Sequence, residues 1–361
     1  MTDDVVIVGG GLAGGAAATL LARAGRHVRL LERDSQPAHK ICGEFLSEGP
    51  QQTLARLGVD LDYLGASAIT TLRLVNGRHT IEAPLPFIAR GITRKRLDAA
   101  LLDRAAAAGA TIERGTAARE IRSTCVETAA GSLRPAVLML ASGKHEVRGA
   151  ARDTGGCEIG YVGFKTYWQL SPSAGAELEG LIVVILFEGG YAGLQLVEDR
   201  KANLCLLIGK RQLASVGGTW EQLLARLLLE PHLEALLGDA VPLSPKPLAI
   251  AGVPYGFLHA GDALDGFFRL GDQGTVIPSF CGEGMAIALR SAVMGAAMVS
   301  AGGTSRDHAT AVRKEFGNRV RLAMLLQRAG KQDWSRNAVW AMLSLYPAMA
   351  GHLAKLTRVP Q

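Results

Sequence analysis

The fold is decided by residues 5–34, VVIVGGGLAGGAAATLLARAGRHVRLLERD. The run Val5–Val8 is β-branched and short enough to be a buried parallel strand, and a glycine turn over 9–14 follows it at once. The alanine-rich segment 12–24 is typical of a helix that a glycine ends, and residues 27–31 resume as a strand. The sequence therefore predicts a strand, a glycine turn, a helix and a second strand, in that order.

This unit has the residues that a dinucleotide site needs. Gly9 allows a tight turn, Gly11 lets a pyrophosphate approach the backbone, and Gly14 lets the helix pack against the sheet. The unpaired amides at the start of the helix carry about half a positive charge, which favours phosphate. Glu32 ends the second strand, where a carboxylate accepts hydrogen bonds from both ribose hydroxyls and repels a 2′-phosphate. We therefore expect an adenine dinucleotide to bind here.

Length and composition indicate a globular protein with one large domain or two closely joined ones. The 361 residues are 48% hydrophobic, enough to bury a substantial core. The formal net charge is +6, but Lys and Arg are scattered, which predicts attraction for anionic cofactors and no nucleic-acid partner. Five cysteines without Cys-x-x-Cys spacing predict neither a disulfide framework nor a metal site, and they favour a reducing cytoplasm.

The two ends of the chain bear on localisation. The opening Met-Thr-Asp-Asp lacks the basic region of an export signal, so we expect a cytoplasmic protein. Residues 338–354 carry no formal charge, but Pro347 interrupts them and they are shorter than a usual membrane span. Two alternatives remain for them: a packed or substrate-covering helix pair, or peripheral contact with a membrane surface.

The middle of the chain changes from strand–helix alternation to strands alone. Residues 68–82 read as a hairpin that Pro84 and Pro86 end, and residues 131–135 read as a loop. Residues 220–237 read as one amphipathic helix. Four further strands are predicted at 161–170, 181–187, 191–197 and 202–208. They would form an antiparallel sheet that walls a substrate cavity, with candidate lining residues Phe164, Tyr167, Trp168, Phe187, Tyr191, Leu194 and Leu196.

A second informative stretch is residues 268–289, FRLGDQGTVIPSFCGEGMAIAL. It reads as a strand, a Gly-Asp pair, a loop with a proline, a Gly-x-Gly turn and a helix. Gly282 and Gly284 let backbone amides approach a ligand, and the helix N-terminus would stabilise negative charge on it.

Three segments together resemble a known group of enzymes: the N-terminal glycine turn, KICGEFLSEG at 40–49 and GDQGTVIPSFCGEGMAIAL at 271–289. The combination is similar to FAD-dependent enzymes related to geranylgeranyl reductases, within the superfamily of aromatic hydroxylases and flavin halogenases. The resemblance implies an α/β (α+β overall) fold. Its parts would be a glutathione-reductase-type Rossmann-like FAD domain, an inserted antiparallel β-sheet substrate domain and C-terminal helices.

The resemblance also assigns residues to FAD. Arg94 matches an arginine that approaches the cofactor phosphates, and Asp272 matches a carboxylate that binds the ribityl chain. Ser142 stands where related hydroxylases have an aspartate, which puts the use of NADPH or NADH as reductant in doubt. In full, the expected cofactor-binding residues are Gly9, Gly11, Leu12, Ala13, Gly14, Glu32, Arg33, Lys40, Cys42, Gly43, Arg94, Gly271, Asp272, Pro278, Gly282, Gly284 and Met285.

No catalytic residue is fixed by the sequence. Candidates near the expected flavin ring are Cys42, Glu44, Cys281 and Glu283. The two cysteines are either a redox pair or small residues lining a tight cavity, and Glu283 either acts on substrate protons or compensates the helix dipole. His145 is a candidate acid or base, or a loop histidine bonded to the backbone.

The segments divide the chain between a cofactor domain and a substrate domain. The cofactor domain comprises residues 1–67, 94–156 and 262–303. The substrate domain comprises a hairpin at 68–93 and the sheet at 157–261, and residues 304–361 form a C-terminal helical region.

Several functions fit this organisation. The first is hydroxylation of an aromatic, quinone-like or polyketide substrate through a flavin C4a-hydroperoxide, and the second is reduction of a double bond in an isoprenoid or other lipid. The third is a non-catalytic, membrane-peripheral flavoprotein. Halogenation is disfavoured because the sequence has no Trp-x-Trp-x-Ile-Pro-like segment. A hydrophobic small molecule is the expected partner.

Overall fold

The computed structural model describes residues 4–259, 266–330 and 358. Nine α-helices lie within these residues: α1 Leu12–Arg23, α2 Glu48–Arg56, α3 Arg94–Ala107, α4 Pro172–Glu177, α5 Lys210–Ser215, α6 Trp220–Leu227, α7 Pro231–Leu237, α8 Gly284–Ser300 and α9 Ser305–Gly330. The strands of the described residues are β1 Val5–Val8, β2 Val28–Glu32, β3 Phe45–Leu46, β4 Ser67–Asn76, β5 His79–Gly91, β6 Thr111–Arg114, β7 Glu120–Arg122, β8 Cys125–Thr128, β9 Gly131–Leu133, β10 Val137–Leu140, β11 Tyr161–Gln169, β12 Gly180–Phe187, β13 Gly190–Leu196, β14 Lys201–Gly209, β15 Val241–Pro242, β16 Leu248–Ala251 and β17 Phe268–Arg269.

A parallel five-stranded sheet forms the first layer, in the order β17-β10-β1-β2-β6. Its central strand β1 is buried throughout and pairs in register with β2 and β10. Helices α1, α3 and α8 contribute side chains to the largest apolar core with this sheet, as expected for a parallel sheet covered by helices. The predicted Rossmann-like arrangement is confirmed.

A nine-stranded sheet forms the second layer, in the order β15-β11-β14-β13-β12-β4-β5-β3, with β16 also paired to β11. The four strands predicted between 161 and 208 are all present as β11 to β14. Their mutual pairings are antiparallel, but β12 runs parallel to β4. The predicted antiparallel arrangement of these four strands is therefore confirmed, and the 67–91 hairpin extends the sheet through the parallel pair.

The hairpin strand β5 runs through Pro84 and Pro86 to Gly91, so the prediction that these prolines end it is wrong. Pro84 faces Thr71 beside a register shift in β4. The opposite side of β5 pairs only at its last two residues, through β3. Prolines are tolerated at such a bulge and on an otherwise unpaired edge, where no ladder hydrogen bond is lost.

Two smaller predictions are also corrected. The region 220–237 forms two helices, because Pro231 begins α7 and the side chain of Glu230 accepts a hydrogen bond from the amide of Leu233. Residues 131–133 are the strand β9 of a three-stranded sheet, where a loop was expected. The three-stranded sheet is separate from the parallel five-stranded sheet.

The segments expected to build the cofactor domain contribute the strands of the parallel sheet, and those expected to build the substrate domain contribute most of the nine-stranded sheet. The 338–354 segment lies outside the described residues. Among the helices that the structure describes, none is long and apolar enough to cross a membrane.

Candidate active site

The glycine turn after β1 is shaped by close backbone approach. Gly9 has φ +108°, and a Cβ built on it would lie 2.4 Å from the carbonyl oxygen of Ala141. A Cβ on Gly14 would lie 1.8 Å from the carbonyl oxygen of Gly9. Side chains are therefore excluded at both positions, and α1 packs tightly against the turn. The roles predicted for these two glycines agree with this geometry.

Glu32 is buried at the end of β2 and orders the turn. Its Oε2 accepts a hydrogen bond from the amide of Gly10 at 2.6 Å, and its Oε1 accepts one from Asp34 at 3.0 Å. A small pocket opens beside it. The pocket is lined by Gly10, Glu32, Asp34, Gln36, Pro37, Ala38, Lys40, Asp98, Ala99, Leu102 and Arg114. A carboxylate at the rim of a pocket can accept hydrogen bonds from ribose hydroxyls.

Arg94 begins α3 and faces the glycine turn. A Cβ on Gly11 would lie 3.1 Å from its Nη2. The guanidinium makes two hydrogen bonds to the carboxylate of Asp98, at 2.8 and 3.0 Å. Lys40 Nζ lies 3.6 Å from the same carboxylate and 3.9 Å from that of Glu32. Two cations thus border the turn where a pyrophosphate is expected.

Asp272 follows β17 and is paired with a cation from the loop after β10. Lys144 Nζ donates to its Oδ2 at 2.8 Å. Burial by itself would raise the pKa of Asp272, but Lys144 and the more distant Arg152 hold the pKa below its ordinary value, so the side chain stays ionised. Gln273 fixes the same loop through hydrogen bonds from Nε2 to the carbonyl oxygens of Gly143 and His145.

Ser142, which replaces the usual aspartate of related hydroxylases, uses its hydroxyl to donate to the carbonyl oxygen of His145. The His145 ring was expected either to act on protons or to bond to the backbone. Its Nε2 instead accepts a hydrogen bond from Arg33 at 2.9 Å. Burial and then the charge of Arg33 lower the pKa of His145, so the ring is neutral at neutral pH.

Gly284 at the N-terminus of α8 is exposed, and a Cβ built on it would meet no other described atom within 4 Å. Gly282 has φ +69°, and a Cβ built on it would contact Phe45 at 3.3 Å. Glu283 between them is buried, and Ser47 Oγ donates to its Oε1 at 3.0 Å. A ligand can therefore approach the start of α8 at Gly284, whereas the Glu283 side chain is directed into the protein.

The segment 40–45 lies between the two sheets. Glu44 is fully buried, has φ +60° and forms an ion pair with Lys165 of β11 at 2.5 Å. Tyr167 donates to the carboxylate at 2.9 Å, and the amide of Arg94 donates to it at 2.6 Å. Because no solvent reaches Glu44, its geometry fits a positioning role better than contact with a substrate.

The same segment accepts three further donors from the nine-stranded sheet. Lys165 Nζ donates to the carbonyl oxygen of Lys40, Asn203 to that of Gly43, and Gln195 to that of Glu44. Sequence reasoning missed this network. The available signal is that Lys165 and Tyr167 share one face of a strand in which Phe164 and Trp168 are apolar.

The aromatic residues expected to line the substrate cavity divide into two groups. Phe164 and Trp168 belong to the core under α6 and α7, and the Phe164 ring packs on Trp220 at 5.5 Å. Tyr191 instead reaches the loop before α8, where its hydroxyl contacts Ser279. All five cysteines lie within the described residues and none forms a disulfide. No metal-binding cluster occurs among the described residues.

The parts of the site fit FAD. Arg94 and Lys40 lie beside the glycine turn where a pyrophosphate is expected, and Glu32 offers acceptor oxygens at the end of β2. A Cβ built on Gly271, directly before Asp272, would lie 3.4 Å from Ala13 in α1 and 3.5 Å from Ala288 in α8, so the Gly-Asp turn packs against both helices. These residue roles remain predictions.

Comparison with known proteins agrees with this fit. Residues 2–147 match the family model described as FAD binding domain. Squalene epoxidase 6 of Arabidopsis thaliana is 36% identical over 85 residues, which are 23% of this chain and 16% of that protein. Squalene monooxygenase of Rattus norvegicus is 43% identical over 60 residues, 16% of this chain and 10% of that protein. The matched regions thus span only about a sixth or less of these relatives.

Solved structures share the fold over most of the chain. The flavin-dependent brominase Bmp2 has a TM-score of 0.80 at 18% identity, covering 99% of this chain and 93% of that one. A variant of the halogenase PltM in complex with FAD has a TM-score of 0.73 at 17% identity, covering 91% of this chain and 76% of that one.

Proposed function

We propose that this chain, which carries an FAD-binding domain within the fold of the flavin monooxygenase superfamily, is an FAD-dependent monooxygenase of a hydrophobic aromatic, quinone-like or polyketide molecule. One observation carries the proposal: a Cβ built on Gly271, directly before Asp272, would lie 3.4 Å from the Cβ of Ala13 in α1 and 3.5 Å from that of Ala288 in α8, so the Gly-Asp turn packs against both helices that follow the other glycine turns. Squalene monooxygenases and flavin halogenases among the similar proteins support oxygen-dependent chemistry. The sequence lacks the Trp-x-Trp-x-Ile-Pro-like segment of halogenases, which favours hydroxylation.

Bound FAD would supply electron transfer and oxygen activation, and the protein supplies binding, orientation and electrostatics. Arg94 and Lys40 would hold the pyrophosphate, and Glu32 the ribose. Asp272 stays ionised beside Lys144 and would accept hydrogen bonds from the ribityl hydroxyls. The two cationic side chains are already fixed by Asp98, so little ordering is required when the cofactor binds.

The N-terminus of α8 would tune the cofactor. A helix terminus directed at a partly buried anion stabilises it by about 1–2 kcal/mol. The exposed amides around Gly284 would give this stabilisation to the pyrimidine edge of the reduced ring. The protein would thereby favour acceptance of a hydride from a donor.

NADPH or NADH is the proposed reductant. Ser142 stands where related hydroxylases have an aspartate, so reduction by each nucleotide has to be measured directly. We expect anaerobic mixing with one of them to bleach the flavin absorbance at a substrate-dependent rate. Absence of bleaching with both nucleotides would point to an external electron donor.

Reduction of an isoprenoid or lipid double bond is the second candidate, favoured by the likeness of residues 40–49 to geranylgeranyl reductases. The two reactions differ in their need for oxygen. Oxygen uptake that matches hydroxylated product one to one, measured by an oxygen electrode and mass analysis, supports the monooxygenase. Saturation of an alkene under anaerobic conditions would contradict it.

A further inference from the structure

Three hydroxyl groups meet at the loop that precedes α8. Ser279 lies in this loop, directly after Pro278. Tyr191 on β13 contacts its Oγ at 2.6 Å, and Tyr255, from the segment after β16, contacts it at 3.1 Å. The serine is therefore fixed between the substrate sheet and the segment that follows β16.

The number of protons in this cluster is informative. Three hydroxyl groups carry three protons, and the two contacts use one proton each. Burial raises the pKa of both Tyr191 and Tyr255, so neither is ionised at neutral pH. One proton is thus left for donation to a group outside the cluster.

The surroundings show where that proton can go. Tyr255 is only 5% exposed and Tyr191 is partly buried, whereas Ser279 and the adjacent Phe280 are exposed, and the carbonyl oxygen of Ser279 accepts a hydrogen bond from the amide of Gly282. Partly buried Cys281 and Ile250 pack on the apolar cluster next to them. A hydrogen-bond donor in apolar surroundings stabilises a ligand only if the ligand offers it an acceptor.

We propose that Ser279, held by Tyr191 and Tyr255, donates a hydrogen bond to an oxygen atom of the substrate. The substrate is accordingly a phenol, an enol or a carbonyl compound, and not a plain hydrocarbon. This rests on the proposed function, because it takes the cleft beside Gly282 and Gly284 as the place where cofactor and substrate meet. It narrows the substrate class within that function.

The test compares phenols with their deoxy analogues on the FAD-containing protein. The probe pairs are 4-propylphenol with propylbenzene, 2-naphthol with naphthalene and 4-phenylphenol with biphenyl, titrated by the change in flavin absorbance. We expect the wild type to prefer the phenol in at least one pair. Ser279→Ala should weaken phenol binding by about threefold to tenfold, as for the loss of one hydrogen bond, and leave the analogue within twofold.

Further variants separate donation from packing. Ser279→Thr keeps the hydroxyl and should retain the preference, whereas Ser279→Cys has a weak donor of similar size and should lose it. Tyr63→Phe, at an 88% exposed tyrosine, is the matched control and should change neither titration. Equal weakening of both probes by Ser279→Ala, or no preference for phenol in any pair, would overturn the inference. The flavin content of each variant is measured separately, and a wild type without FAD would refute the proposed function itself.

Discussion

The buried pair of Glu44 and Lys165 gives the sharpest test of how the two sheets are joined. Both side chains are almost wholly inaccessible to solvent, and their charged atoms are 2.5 Å apart. Lys165→Met removes the cation and leaves a buried carboxylate with only the hydroxyl of Tyr167 and the amide of Arg94 as donors. Breaking such a pair costs about 3 to 5 kcal/mol of unfolding free energy.

The double variant should recover part of this loss. In Glu44→Gln/Lys165→Met no unpaired charge is buried, so we expect it to be more stable than the sum of the single changes by about 1 to 3 kcal/mol. The assay is urea unfolding followed by tryptophan fluorescence, since Trp168 lies on the same strand as Lys165. Lys201→Met, at the first residue of β14, breaks an exposed pair with Asp199 in the preceding turn; it is the control and should cost at most about 1 kcal/mol.

The pH dependence of the unfolding free energy gives a second test of Lys165→Met. Burial raises the pKa of Glu44, and the charge of Lys165 acts in the opposite direction. Without Lys165 the folded pKa rises further. A folded pKa above the unfolded one gives stability that is lost as the pH rises through the folded value. The deficit of Lys165→Met relative to wild type should therefore grow as the pH rises above the ordinary pKa range of a glutamate. A deficit no larger than that of Lys201→Met, or independent of pH, would refute this reasoning.

Three further variants test the cofactor cleft. Gly14→Ala should abolish FAD binding or folding, because its Cβ would lie 1.8 Å from a backbone oxygen. Gly160→Ala, whose Cβ would have no neighbour within 4 Å, is the control and should be tolerated. Flavin content and circular dichroism measure both variants, and a yellow, folded Gly14→Ala protein would contradict the turn geometry. Arg94→Met should weaken FAD binding by about tenfold or more, as for the loss of a charge-assisted hydrogen bond, while Arg73→Met in the other sheet should not. Titration of each apoprotein with FAD, followed by fluorescence, measures the affinities. Equal affinities of Arg94→Met and wild type for FAD would remove Arg94 from the site. Lys144→Met should also weaken FAD binding, because it leaves Asp272 without its paired cation, and unchanged affinity in the same titration would limit Lys144 to a structural role.

The parts of the fold that the sequence predicts well are local. The turn at Gly9–Gly14 follows from steric needs of adjacent residues, and the strands from 161 to 208 from their apolar runs and short connections. Glu32 lies at the end of its strand as the βαβ unit requires. These features depend on neighbours along the chain, so periodicity and glycine positions are enough to predict them.

The parts that were missed depend on contacts between distant segments. In the sequence, Lys165 is one polar residue in a predicted strand, and only the folded structure shows its contact with Glu44. Likewise, no residue near Ser279 in the sequence indicates its contacts with the hydroxyls of Tyr191 and Tyr255. Pro84 looked like the end of a strand because the register shift that accommodates it lies in the partner strand. Such pairings are set by topology, which local patterns do not encode.

The central claim is that three glycine-containing turns hold one FAD across a single cleft, and a crystal structure of the FAD complex tests it most directly. We expect one cofactor per chain, with the adenosine beside Glu32 and the pyrimidine edge of the flavin beside Gly282 and Gly284. FAD bound in another cleft, or protein that stays colourless after incubation with FAD, would contradict it.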